Sequence, residues 1–423
     1  MSKAINEGGI RNMKLKPIIR SLLEDDLYKF SMGQAIKHQF PGHMTRWAFK
    51  CRNVGVHFTP EMVEEIKEQI QHYCTLRFKE DELAHLLTIP WIKPDYVDSL
   101  RFWHPRYEEF EIGTNSPCGL IIETYGSWFN VSHYEMPVLM IVNEVWFRMN
   151  YDYVKLYASF KERLQDKYEA LRSGHWHVGN FSGFGLRRRL SSEAEEKFTE
   201  LFSTLNNTRH CSSTFVGTSN VYLAWKYGLM HTGTMAHEWI MGAGQGDMRH
   251  NPAYSNWYAM DAWVREYGTL NGTALTDTIG THTFQKDFRL TFANSFSGVR
   301  HDSGDPIIWG ESMLEHYRRF DIDPKTKTLL FSDSLNFEKA DKIWRHFHEE
   351  AKVAFGIGTY LTNDTFAEPL NIVMKMIECN GHPVVKLSDA PGKCMCKDQG
   401  YIDFVEECIR MRDIMEPEAQ IAP

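Results

Sequence analysis

Seven consecutive residues, Arg300-His301-Asp302-Ser303-Gly304-Asp305-Pro306, bring a guanidinium, an imidazole and two carboxylates together at the end of a strand-like run. Arg300 and Asp302 are two apart, so on an extended strand they share a face. An inward pair of that kind suits an anion and a Mg2+ ion. Asp305-Pro306 reads instead as a helix N-cap and first-turn proline. Asp277 and Asp333 close two other runs, and carboxylates gathered beside arginines suit a metal-bound polyphosphate. Arg187-Arg188-Arg189 follows a further run end, Phe184-Gly185. Three arginines there are either a solvated basic turn or, because cations are disfavoured at the positive end of a helix dipole, the wall of an anion site. Gly356-Ile357-Gly358-Thr359 offers backbone N–H groups and a hydroxyl to a phosphate, unless its glycines merely form a turn. His237, in Thr234-Met235-Ala236-His237, is either a packed core residue or an oriented nucleophile or base.

These groups need a scaffold that gathers strand ends. From about residue 178 short apolar runs end in Gly, Ser, Thr or Asp and alternate with helical stretches. The run ends include Phe181–Gly185, Phe215–Ser219, Thr232–Thr234, Ala274–Asp277, Gly298–Asp302, Leu329–Asp333 and Ala354–Gly358. Alternating βα units imply a parallel sheet, and polar residues clustered at the C-terminal strand ends suggest an irregular α/β, TIM-like barrel with its site at that rim. A doubly wound open sheet is the alternative. Residues 13–150 read as an N-terminal α+β domain. Its helical periodicity runs after Leu22 and after Thr59-Pro60, and its strand-like runs are Arg46–Arg52, Gly119–Thr124 and Trp128–His133. The barrel spans 151–370, and 371–423 returns to the first domain or closes the barrel. Asn380-Gly381 marks a hairpin within that last segment. Residues 1–12 read as a loose leader.

Composition limits the partners. The 423 residues are 43% hydrophobic and 13% aromatic, ample for a large core. With 47 Lys and Arg against 55 Asp and Glu the net charge is −8, which gives no general attraction for nucleic acid or an anionic membrane. The longest strongly apolar stretch, Met136 to Phe147, is broken by Asn143 and Glu144 and is too short to span a bilayer. No apolar block follows Lys3, Arg11, Lys14 and Lys16, so no secretory signal is expected. Eight cysteines scattered through so long a chain favour free thiols in the cytoplasm. Cys379 with His382, followed by Cys394 and Cys396, lacks the spacing of a zinc site, so no zinc is expected.

The order of these words resembles the nicotinate phosphoribosyltransferases over nearly the whole chain, from about Leu22 to Lys393. Leu23-Glu-Asp-Asp-Leu-Tyr-Lys29, Phe184-Gly-Leu-Arg-Arg188, Val216-Gly-Thr-Ser-Asn220 and Gly233-Thr-Met-Ala-His-Glu-Trp239 carry the first half. Ala274-Leu-Thr-Asp277, Arg300–Pro306, Phe355-Gly-Ile-Gly-Thr359 and Val385-Lys-Leu-Ser-Asp-Ala-Pro-Gly-Lys393 carry the second. The resemblance implies an N-terminal α/β domain joined to an irregular barrel, usually in a homodimer. It implies transfer of phosphoribosyl from 5-phosphoribosyl-1-diphosphate to nicotinate, with ATP hydrolysis coupled through phosphate on His237 and Asp277 orienting that ring. Tyr28 and Phe184 would sandwich the pyridine, with Tyr28 arriving from the partner subunit as in dimeric relatives. Arg300 would meet the nicotinate carboxylate, with Thr234 and Ser219 alongside. Arg187, Arg188 and Asp333 would serve diphosphate and ribose, Asp302 a Mg2+ ion, and Gly356, Gly358 and Thr359 the 5-phosphate. Gly183 departs from the family, which often has an acidic residue there.

Two rivals remain. Nicotinamide-using relatives place an Asp where this chain has Ser219, and a carboxylate there would repel nicotinate. A metal-dependent phosphohydrolase would use the rim aspartates to activate water.

Overall fold

A computed structural model describes residues 16–114, 119–207, 213–390, 394, 396 and 398–417. The proposed leader, Cys118, Cys211 and the Pro391-Gly392-Lys393 end of the last motif lie outside the described residues. Twelve strands occur in chain order: β1 Met44–Cys51, β2 Phe110–Gly113, β3 Ile121–Ser127, β4 Asn180–Gly183, β5 Thr214–Thr218 and β6 Met230–His231. They continue as β7 Thr273–Leu275, β8 Gly298–His301, β9 Thr328–Phe331, β10 Lys352–Ile357, β11 Ile372–Cys379 and β12 His382–Pro383.

Seven of them form a parallel sheet in the order β6-β5-β4-β10-β9-β8-β7. Short strands closely followed by helices produce it, and each expected run end falls at or just after a strand. The mixed α/β, barrel-like architecture therefore holds, with one specification. The sheet is open, since β6 and β7 are its two edges. The segment between those edges in sequence carries His237 in a turn of helix, His237–Trp239, that runs directly into a π-helix, Ile240–Gln245. Such wide turns are rare and concentrate at functional sites.

The second sheet is antiparallel, β12-β11-β1-β3-β2, and joins the two ends of the described chain. Cys51 pairs with Ile372 and Thr45 with Cys379. Asn380 (φ 52°) and Gly381 (φ 82°) form the tight turn between β11 and β12 that Asn-Gly favours. Thr59 caps the helix Pro60–Thr75 by accepting from the Met62 amide, as its sequence predicts. One strand expectation is corrected. Trp128–His133 is helical, α from Trp128 to Val131 and then 3-10. The Ser127 hydroxyl starts it by accepting from the Asn130 amide, and the coil buries Trp128, Val131 and Ser132 together.

The apolar stretch around Met136–Phe147 belongs to the helix Glu135–Asn150, buried along most of its length. It packs against the helix Pro60–Thr75, β11 and the turn Leu186–Arg188, which accounts for its apolar character on nearly every face. No helix among the described residues is long and apolar enough to cross a membrane.

Candidate active site

β8 aims Arg300 into the rim, and every nitrogen of its guanidinium is engaged. Nε donates to Ser332 Oγ (2.8 Å), Nη1 to Thr234 Oγ1 (3.0 Å) and Nη2 to Asp302 Oδ1 (2.9 Å). Its Cζ lies 5.9 Å from the centre of the Phe184 ring, so one aromatic face and the Arg300 plane share a wall. The expected grouping of Phe184, Thr234, Arg300 and Asp302 is thus physical, although β4, β8 and the β6–His237 connection supply its members.

His237 sits beyond Arg300, 7% exposed. Nδ1 meets Thr278 Oγ1 at 3.0 Å, and Nε2 meets Asp302 Oδ2 at 3.0 Å. Asp277 Oδ1 is 3.8 Å from the same Nε2. The expectation that Asp277 anchors the ring's far nitrogen is therefore corrected: Thr278 does so, and both aspartates lie on the Nε2 side. Asp277 is itself fixed by the Ser303 hydroxyl at 2.5 Å. Burial, and then the Lys386 ammonium, lower the imidazole to about 4, against the opposing pull of Asp277 and Asp302. Burial opposes ionisation of Asp302, yet Arg300, His237 and Lys386 outweigh it and hold that carboxyl well below the usual range.

The three adjacent arginines divide. Arg189 is buried and pairs with Glu24 (2.8 Å) and Glu195 (2.9 Å), a structural role. Arg187 and Arg188 lie half-buried in the 3-10 turn Leu186–Arg188. Burial, then repulsion from Arg187 and Arg52, lowers Arg188 to about 9, while Asp302 and Asp333 pull it back. A guanidinium so disfavoured, beside two more, marks a wall short of negative charge.

Tyr28 is carried to the rim by its own chain. The Leu27 amide donates to the Ser219 carbonyl at 2.9 Å, and Tyr28 lies within the electrostatic reach of both Arg187 and Arg300. This chain's own Tyr28 thus lies beside its own Arg187 and Arg300. Ser219 is buried beside the Asp26 carboxyl, which burial raises to about 7. Gly356 leaves room for Phe184, because a Cβ there would lie 2.3 Å from that ring. The Phe184 amide in turn donates to the Ile357 carbonyl at 2.8 Å, locking the aromatic to the Gly356–Thr359 turn. At Gly183 a Cβ would meet the Phe198 ring at 2.7 Å, so this chain has filled with an aromatic the space that an acidic side chain would need.

His237, Asp277 and Asp302 are the described residues whose ligand atoms converge enough for a metal, all within 4.8 Å of one another. They do not fit Mg2+ held directly by Asp302. That ion demands oxygen ligands, whereas Asp302 Oδ1 already receives Arg300 and Ser332, and Oδ2 faces an imidazole and the Lys386 ammonium. The sequence reading missed Lys386, Thr278, Ser332 and Asp26. Lys386 and Thr278 stand inside or next to motif words, but nothing in their spacing says that they meet His237.

The nicotinate phosphoribosyltransferase (NAPRTase) family model matches residues 180–410, and the model of its N-terminal domain matches residues 23–143. Nicotinate phosphoribosyltransferase of Cupriavidus necator is 43% identical over 393 residues, covering 92% of this chain and 98% of that protein. The crystal structure of nicotinate phosphoribosyltransferase from Vibrio cholerae superposes with a TM-score of 0.86 at 33% identity, covering 93% of this chain and 94% of that one. The enzyme of that name from Porphyromonas gingivalis gives 0.83 at 35% identity, covering 92% and 100%.

Proposed function

The chain belongs to the nicotinate phosphoribosyltransferase family, an enzyme family, and on that premise we propose that it joins nicotinate to 5-phosphoribosyl-1-diphosphate with ATP coupling through phosphate carried on His237. The products are nicotinate mononucleotide, diphosphate, ADP and phosphate, formed by a homodimer in the cytoplasm. The observation that carries the reading is the pairing of a cation-rich wall (Arg52, Arg187, Arg188) with a buried imidazole, lowered to about 4, whose Nε2 faces two aspartates.

Departure of diphosphate from the ribose C1 leaves oxocarbenium-like positive charge on the sugar and builds negative charge on the leaving group. In this reading Arg187 and Arg188 receive the latter, and Asp333 accepts from ribose hydroxyls. Backbone N–H groups of the Gly356–Thr359 turn and the Thr359 hydroxyl suit the 5-phosphate. Mg2+ enters with the polyphosphates as part of the substrate. The pyridine nitrogen is a neutral nucleophile that requires placement more than activation, which Phe184 and Tyr28 supply. Arg300 meets the nicotinate carboxylate along its Nη1 edge, with Thr234 yielding that edge as substrate enters. Ser219 adds no charge to this corner, and burial pushes the Asp26 carboxyl beside it up to about 7.

The test is one incubation with labelled ATP, 5-phosphoribosyl-1-diphosphate and either pyridine. Nicotinate should be consumed with equal ADP and diphosphate, leaving acid-labile, alkali-stable phosphate on the protein that His237→Ala removes. Preference for nicotinamide, or phosphate release indifferent to both pyridines, would overturn the assignment.

A further inference from the structure

After β12 the chain returns to the rim between two fixed points. Val385 is held at both ends of its peptide by Gln245, with its amide at 2.8 Å and its carbonyl at 2.9 Å, and the Leu387 amide donates to the Thr278 carbonyl at 2.8 Å. Between them Lys386 has little freedom. Its residue is 7% exposed, and its ammonium lies 2.6 Å from His237 Nε2, 3.3 Å from Asp277 Oδ2 and 3.7 Å from Asp302 Oδ2. An ammonium only donates, so the 2.6 Å contact makes Nε2 an acceptor with an available lone pair, in competition with Asp302 Oδ2, 3.0 Å away, which would draw a proton onto the same nitrogen. The ring's single proton then sits on Nδ1 and is donated to Thr278 Oγ1. Asp277 Oδ1, buried and without a hydrogen-bond partner among the described residues, also faces Nε2.

Two carboxylates beside an imidazole ordinarily draw a proton onto it. Here the charged groups facing the ring are Asp277 after β7, Asp302 after β8 and Lys386 after β12, with Arg300 behind Asp302. The lysine reverses the expected outcome. We propose that Lys386 holds His237 Nε2 unprotonated and then pairs with the phosphoryl group that this nitrogen receives. The proposal rests on the reading of His237 as the phosphate carrier. In the step, the Nε2 lone pair forms the N–P bond while the bond from the γ-phosphorus to its bridging oxygen breaks, and that electron pair leaves on ADP. No proton leaves the imidazole. The ring becomes cationic, with its Nδ1–H still on Thr278 and Asp277 and Asp302 against its charge. The Lys386 N–H that had faced the lone pair turns to a phosphoryl oxygen.

Two readouts test it in the full-length protein. The first is an imidazole 15N NMR titration without nucleotide, with the His237 signal identified by its loss in His237→Ala. In Lys386→Met, and in Lys386→Gln as the polar variant should the first fail to fold, the titration should move up by about one unit or more, because two carboxylates remain without the ammonium. The second is the rate of phosphate transfer from labelled ATP, which should fall by about a hundredfold or more in either variant. Lys386→Arg should recover part of that rate, because a positive donor remains. An unchanged titration, or labelling within about twofold of the unsubstituted protein, overturns the proposal. Persistence of the label in His237→Ala would defeat the carrier reading instead, and the titration would still decide what Lys386 does to the ring.

Discussion

Arg187, Arg188 and Arg189 are neighbours in sequence with separate fates, and variants should separate them. Arg189→Met leaves Glu24 and Glu195 buried without their common partner, so a loss of about 3–5 kcal/mol and a lower Tm are expected. Arg188→Met removes a cation already held down to about 9, so Tm should stay or rise while the rise of Tm on adding 5-phosphoribosyl-1-diphosphate shrinks. Equal melting behaviour of the two variants would reject the division. The sequence shows three arginines at a strand end but not this split, because the deciding partners of Arg189 lie in other elements, Glu24 about 165 residues away. Arg300 was legible by type and position. Arg300→Lys should raise the nicotinate KM by about tenfold to a hundredfold, since a point ammonium cannot replace a planar fork and a charged hydrogen bond is worth roughly 1.5–3 kcal/mol. A normal KM with impaired labelling of His237 would move Arg300 to the phosphate side, and a parallel melt separates either result from unfolding.

At the level of elements, what the sequence discloses is where strands end. Gly, Ser, Thr and Asp after short apolar runs located the rim loops, and Thr59-Pro60 and Asn380-Gly381 located a cap and a turn. Trp128–His133 was misread because β-branched and aromatic residues suit a strand, whereas tertiary burial and a Ser127 cap select helix. Also illegible was the brace behind His237. Its neighbour Glu238 accepts from Trp128 Nε1 (2.9 Å) and Ser132 Oγ (2.5 Å) and pairs with Lys29, tying the His237 turn to the N-terminal part of the chain. Contacts of that span leave no local pattern. The Gly356 turn offers a direct test of how elements share the site. Gly356→Ala drives a methyl into the Phe184 ring, so the nicotinate KM should rise while phosphate transfer from ATP to His237 changes little. Equal losses in both would show that the turn acts only through stability.

Stability of the whole molecule should carry the imprint of its buried imidazole. His237 titrates near 4 when folded against an ordinary 6.5, so below pH 6.5 the unfolded chain takes up a proton that the folded one refuses. That favours unfolding progressively from pH 6.5 down to about 4. Asp26 and Asp287, raised by burial to about 7 and about 6, act with the opposite sign, costing stability as pH rises from 3.8. A difference between two proteins cancels them. The Tm of His237→Asn relative to the unsubstituted protein should therefore improve steadily from pH 7 to pH 4, and a flat difference would contradict a neutral buried ring.

The pairing of β1 with β11 also sets a timetable for biosynthesis. Ile372 emerges from the ribosome roughly 320 residues after Cys51, about 15–60 s later at usual elongation rates. Throughout that interval β1 lacks its outer neighbour and presents an unpaired edge, the kind of surface that recruits chaperones or other nascent chains. The parallel sheet can assemble meanwhile, since all seven of its strands precede residue 358. Lys386 follows β12 and reaches His237 only after β11 and β12 have been made, with the helix Gln399–Met415 still to come. A chain stalled at residue 370 should accordingly bind chaperone and take no phosphate from ATP, and labelling at the full-length rate would refute this. If His237 carries phosphate as proposed, that transfer is thereby withheld until Lys386 has been synthesised.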